Sequence, residues 1–139
     1  MSTSELSNAE YEHARLAWQA VPDFAVLTMD LHGKVQSMNW GAEQVLGYSK
    51  SELVGLNGDV IFTPEDLGRG DSDMERKCAL DNGRAENERW HVRKDGSRFW
   101  GSGVLTLKPD RSGFIKIMRD LTVRKKLEDS KFFLASIVE

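Results

Sequence analysis

Residues 90–100 read WHVRKDGSRFW. Asp95-Gly96 is a two-residue hairpin signal, because glycine supplies the left-handed backbone that such a turn needs. The flanks therefore read as strands, AENERWHVRK over 85–94 and SRFWGSGVLTLK over 97–108. Arg93, Lys94, Ser97 and Arg98 read as the solvated sides of the turn. Pro109 to Gly113 is a further turn, and FIKIMRDLT over 114–122 is a third strand. Three strands joined this tightly form an antiparallel meander.

Working outward, FAVLTMD (24–30) and KVQSMN (34–39) flank Leu31-His32-Gly33 and read as a second hairpin. Helical pieces lie between the two strand groups. Asn39 is an N-cap for WGAEQVLG, which stops at Gly47. Ser49-Lys50-Ser51-Glu52 is a capping box that starts a short helix ending at Gly55. Thr63-Pro64-Glu65-Asp66 places a cap, a first-turn proline and acids in the order a helix start favours. The spacing predicts a longer helix over 71–82, DSDMERKCALDN, with Met74, Cys78 and Ala79 as its apolar stripe. A helix over 4–20 carries Leu6, Ala9, His13, Leu16 and Ala17 near one face and ends before Pro22. From Val123 the chain reads as helical to its end. The order helix, two strands, helices, three strands, helix is an α+β architecture: a five-stranded antiparallel sheet with short helices on one face.

Composition narrows the function classes. The 139 residues fit one domain, and 40% hydrophobic with 29% charged residues is a globular balance, not a disordered one. A net charge of −3 speaks against a dedicated nucleic-acid binder. The one cysteine, Cys78, excludes an internal disulfide and a cysteine-rich zinc site. No apolar run reaches the ~18–20 residues of a membrane span, and the polar, acidic N-terminus is no signal peptide, so a cytoplasmic protein is expected.

The element order and the motifs within it resemble the PAS domain family, specifically the sensory modules of bacterial signalling proteins. Asn39-Trp40-Gly41-Ala42-Glu43 with Leu46-Gly47-Tyr48 is similar to the family's first helix after the opening hairpin, and Ser49 through Gly55 to its second. Arg93 through Trp100 resembles its central hairpin. Asp120-Leu121-Thr122, followed by Arg124 and Lys125, resembles the motif that couples the sheet to an output helix. The resemblance covers about residues 21–126. It implies a flanking helix over 1–20, a sensor domain over 21–122 and a signalling linker helix over 123–139.

A pocket between sheet and helices is implied too. Phe99, Gly101 and Gly103 share one face of their strand, and the resemblance turns that face inward, with His91, Arg89 and Arg93 from the preceding strand. Leu27, Met29 and Met118 join them as pocket lining. Gly101 and Gly103 either leave room for a ligand or relieve sheet curvature. An inward His91 either binds a polar ligand or, the favoured reading, is satisfied by a carboxylate or backbone group. The cofactor is unknown. Haem is disfavoured, because the helix over 71–82 lacks the histidine that haem-binding members use, and Met74 and Cys78 read as packing residues. A light-sensing flavin adduct is disfavoured, because Gly55-Leu56-Asn57-Gly58-Asp59-Val60 has no cysteine. Non-covalent flavin, an unidentified small molecule and no ligand at all stay open.

Trp90, Val92, Trp100 and Val104 fall on the opposite face, beside Ile115 and Ile117. Soluble monomers seldom expose such a patch. Its expected cover is the N-terminal helix, with Leu16, Ala17 and Trp18, or a second copy of the chain. Val123, Leu127, Ser130, Leu134 and Ile137 alternate by four and three, a coiled-coil seam with one polar break. A homodimer linked to an output domain is the expectation, and an end inside a helix suggests a fragment. No nucleophile elbow, phosphate loop or metal-spaced set appears, so the module is not expected to be an enzyme. Asp59, Glu65, Asp66, Asp71 and Asp73 form an acidic cluster, which helix dipoles favour without a metal.

Overall fold

The computed structural model describes residues 8–13, 15–16 and 24–138, with side chains placed as far as Lys131. Residues 8–13 and 15–16 are helical and exposed. Trp18 and Ala17, and the side chains of Leu134 and Ile137, lie outside the described residues.

Five strands follow in the expected sequence: β1 (Phe24–Asp30), β2 (Val35–Met38), β3 (Arg84–Val92), β4 (Arg98–Leu107) and β5 (Gly113–Asp120). They form one antiparallel sheet in the order β2-β1-β5-β4-β3. Between β2 and β3 run α1 (Trp40–Leu46), α2 (Lys50–Leu53), a 3-10 turn (Gly58–Ile61), α3 (Pro64–Gly68) and α4 (Asp71–Asn82). The last helix, α5, covers Thr122–Val138.

Local chemistry sets these boundaries. Asp30 Oδ1 accepts from the amides of His32 and Lys34, and Gly33 at φ 87° closes the first hairpin. Asn39, 1% exposed, caps α1 by accepting from Ala42 N. It also ties that helix to β1, accepting from Val26 N and donating Nδ2 to Phe24 O. Ser49 and Glu52 form the capping box of α2, and Thr63 caps α3 ahead of Pro64. Turn and helix also meet: Lys94 N donates to Leu46 O at 3.0 Å, and Lys94 Nζ pairs with Glu52.

The core lies between the sheet and these helices. Ala25, Leu27, Leu46, Leu53, Phe99 and Phe114 are fully buried in it. The α4 stripe differs from expectation. Met74 is 66% exposed and Cys78 is exposed, while Ser72, Glu75 and Ala79 face inward. The helix turns a polar stripe to the core because a cation waits there, at Lys116 of β5. The last strand also ends two residues early, since Asp120 Oδ1 accepts from Thr122 N and starts α5.

Candidate functional site

Alternation along β5 places Phe114, Lys116 and Met118 on the inner face. Lys116 is therefore an ammonium at the centre of the sheet, 5% exposed. Its Nζ donates to Glu75 Oε1 of α4 at 3.0 Å, and the same charge stands 4.6 Å from the centre of the Phe62 ring. Burial lowers the Lys116 pKa, and the Glu75 carboxylate offsets part of that. Arg89 of β3 continues the series. It approaches Glu75 Oε2 at 3.6 Å and Asp71 at 3.4 Å, and lies 5.3 Å from the Phe62 ring centre. Asp66 and Asp71 then meet Arg69 near the surface. Charges thus alternate from the middle of the sheet to solvent. The acidic cluster is matched by arginine throughout: Asp59 and Asp73 pair with Arg76, and Glu65 with Arg98.

His91 sits beside this series, 3% exposed. Its Nδ1 lies 3.1 Å from Ile61 O, a group that can only accept, so the ring carries its proton on Nδ1. Burial, then the charge of Lys116, pushes the His91 pKa well below its usual value, which makes the neutral ring the working form. The favoured reading, a histidine satisfied by backbone, matches this geometry. The ring stacks on Phe99 at 5.4 Å and meets Phe62 edge-on at 5.3 Å. It also fills the space that Gly101 leaves, since a Cβ there would lie 2.7 Å from His91 Cδ2. Gly103 answers to sheet geometry: a Cβ would stand 2.4 Å from Ile117 O and 2.7 Å from Met118 Cβ.

A cavity of about 20 Å³ remains, walled by Met29, Ile61, Phe62 and Leu105 on its apolar side and by Ser72, Glu75, Arg76 and Lys116 on its polar side. Of the residues expected to line a pocket, Met29 borders it. Leu27, Phe99 and Met118 pack in the solid core, 0–1% exposed, and His91, Gly101 and Gly103 sit on the flank just described. Lys116 and Glu75 went unrecognised in sequence. The signal was present: Lys116 shares its face with Phe114 and Met118, and Ser72, Glu75 and Ala79 recur at helical spacing.

A second constellation joins the central hairpin to α5. Arg93 proves to be no solvated flank. Its Nη2 donates to Asp120 at 2.5 Å, its Nε to Val45 O at 3.0 Å, and its guanidinium lies 4.9 Å from the Phe99 ring centre. Asp120 Oδ1 accepts from Thr122 N and Oγ1, Thr122 Oγ1 accepts from Trp100 N at 2.9 Å, and Leu121 N donates to Trp100 O at 2.8 Å. Helix α1, the hairpin, β4 and α5 thus meet at one knot of hydrogen bonds.

On the outer face Trp90 and Trp100 pack edge to face at 5.4 Å, both half-buried, with Lys125 of α5 at 4.8 Å from the Trp100 ring. Ile117 is 38% exposed, and Val123 and Leu127 of α5 project into solvent.

A family model described as "PAS domain" matches residues 22–123, and the chain belongs to the PAS domain family. Two-component system protein A of Emericella nidulans is 33% identical over 120 residues, 84% of this chain and 18% of that protein. Sensor protein FixL of Bradyrhizobium diazoefficiens is 33% identical over 64 residues, 46% of this chain and 12% of that protein. The chain thus spans less than a fifth of either relative. Among solved structures, a PAS domain from Colwellia psychrerythraea superposes with a TM-score of 0.71 at 26% identity, covering 81% of this chain and 97% of that one. PAS domains are sensory modules, commonly dimeric and linked to output domains, and are not themselves catalytic. No helix among the described residues is long and apolar enough to cross a membrane.

Proposed function

We propose that this chain is a cytoplasmic sensory module. A small molecule or partner acting on the sheet is read by Asp120-Leu121-Thr122 and passed through α5 to an output domain, of the histidine kinase or cyclic-dinucleotide class. Residues 21–122 sense and 123–139 transmit. The observation that carries this is the knot at the start of α5, where Asp120 binds Arg93 of the hairpin and caps the helix with the same carboxylate. A shift of hairpin against sheet cannot leave the helix start unchanged. The names of the two relatives, a two-component system protein and a sensor protein, support a place in two-component signalling. The test is Asp120→Ala in the full-length protein: the output response should be lost or locked, and an unchanged response removes Asp120 from the mechanism.

A second reading, a ligand-free scaffold that dimerises through the outer face, is favoured by the tight inner packing, with Phe99 fully buried and His91 filling the space over Gly101. Mass spectrometry and an absorption spectrum of freshly purified protein separate the two: a retained small molecule supports the sensor, and protein alone the scaffold.

A further inference from the structure

The Glu75–Lys116 pair is incomplete. Oε1 accepts from Lys116, but Oε2 is buried and accepts no hydrogen bond. Arg89 Nη2 stands 3.6 Å from it, beyond hydrogen-bond reach. A buried carboxylate oxygen without a donor is costly, and proteins rarely leave one so. Glu75 also walls the 20 Å³ cavity, whose other polar walls are Ser72, Arg76 and Lys116. That volume exceeds the ~10–15 Å³ that one water needs.

We propose that this cavity is a binding site for one small neutral hydrogen-bond donor, which donates a hydrogen bond to Glu75 Oε2 and rests its remaining surface on Met29, Ile61, Phe62 and Leu105. Water occupies it in the resting chain, and a molecule bearing a hydroxyl group can replace that water. A cation is unsuited, because Lys116 and Arg76 share the wall; an anion is unsuited, because the unsatisfied group is itself a carboxylate. A purely apolar guest would leave Oε2 unbonded. The role of such a guest as a signal rests on the sensory reading above; its binding does not.

The test uses the whole chain with methyl-labelled methionine and isoleucine. Methanol, the smallest probe with one O–H and one methyl, should shift Met29 and Ile61 saturably, and xenon, which has no donor, should not. In Glu75→Leu/Lys116→Met, which replaces the pair by apolar groups of similar bulk, methanol binding should disappear. Saturable xenon binding by the wild type, or methanol shifts unchanged in the double variant, overturns the proposal. A high-resolution crystal structure of the wild type gives a reading that depends on no variant. Density for an ordered water within about 3.2 Å of Oε2 is expected; an empty cavity, with Arg89 closed onto Oε2, overturns it. Neither measurement involves output, so a failure of Asp120→Ala to alter signalling leaves this site standing.

Discussion

The two faces of one sheet solve opposite problems. Inside, β3 and β5 bring an arginine, a histidine and a lysine into the core, and each is matched: Lys116 by Glu75, Arg89 by Asp71 and Glu75, His91 by Ile61 O. Outside, β3, β4 and β5 present Trp90, Trp100 and Ile117 with partial cover. The inner face is thus specific and intolerant, because Lys116, Arg89 and His91 each depend on a particular partner. The outer face is more apolar, and its tryptophans are only half-buried, with Lys125 over the Trp100 ring.

The largest expected effect breaks the inner face. Glu75→Ala leaves Lys116 buried without a carboxylate and should cost about 3–5 kcal/mol, read as a lower denaturant midpoint. A loss below about 1 kcal/mol would show that the pair is solvated and the interior less closed than described. Gly103→Ala should cost about 1–3 kcal/mol, because the atom in the way is the Ile117 carbonyl of the paired strand, which cannot swing aside. Equal stability would show that β4 and β5 can part locally.

A smaller effect is titration of His91. Its folded pKa is depressed, so the unfolded chain takes up a proton first as pH falls. Stability should be independent of His91 above about pH 6.5 and decline below it by up to ~1.4 kcal/mol per pH unit, until the folded ring protonates. Wild type compared with His91→Gln over pH 5–7 by denaturant melts isolates this slope; parallel curves would place the ring in contact with water. The smallest effect on stability, about 1 kcal/mol, is expected for Trp100→Glu, which removes one aromatic pair from a half-covered surface. Its signature is assembly: on the proposal that the outer face dimerises, sedimentation should shift toward monomer, and an unaltered monomer–dimer balance sinks that proposal.

The sequence declared the frame because each boundary is a local chemical statement. As helix caps, Asn39, Ser49-Glu52 and Thr63-Pro64 act within a few residues of themselves, and Asp95-Gly96 forms its turn without distant help. Alternation likewise separates His91 and Phe99 from Trp90 and Trp100. The interior was harder to read. Glu75 and Lys116 are 41 positions apart, and each alone resembles a solvated surface residue, so only folding reveals that they share a face. The α4 stripe misled for the same reason: Met74 and Cys78 look like core until a buried cation draws Glu75 inward instead. Arg93 reads two ways in sequence, as a flank of an exposed turn and, by the resemblance, as inward-facing; its pairing with Asp120, 27 positions away, appears only on folding.

The strand order has one further consequence, for the way the chain is made. β5 is the last strand to be synthesised, yet it lies in the middle of the sheet, between β1 and β4. A chain emerging from the ribosome can close β1 on β2 and β3 on β4, because each pair is joined by a short turn. The two ladders have no strand in common until Gly113–Asp120 arrives and pairs with both. Pairing β1 with β5 closes a loop of most of the domain, so the entropic barrier is met late and in one step. Synthesis slowed before this segment would hold two half-sheets with open edges, the state most exposed to mispairing between neighbouring chains.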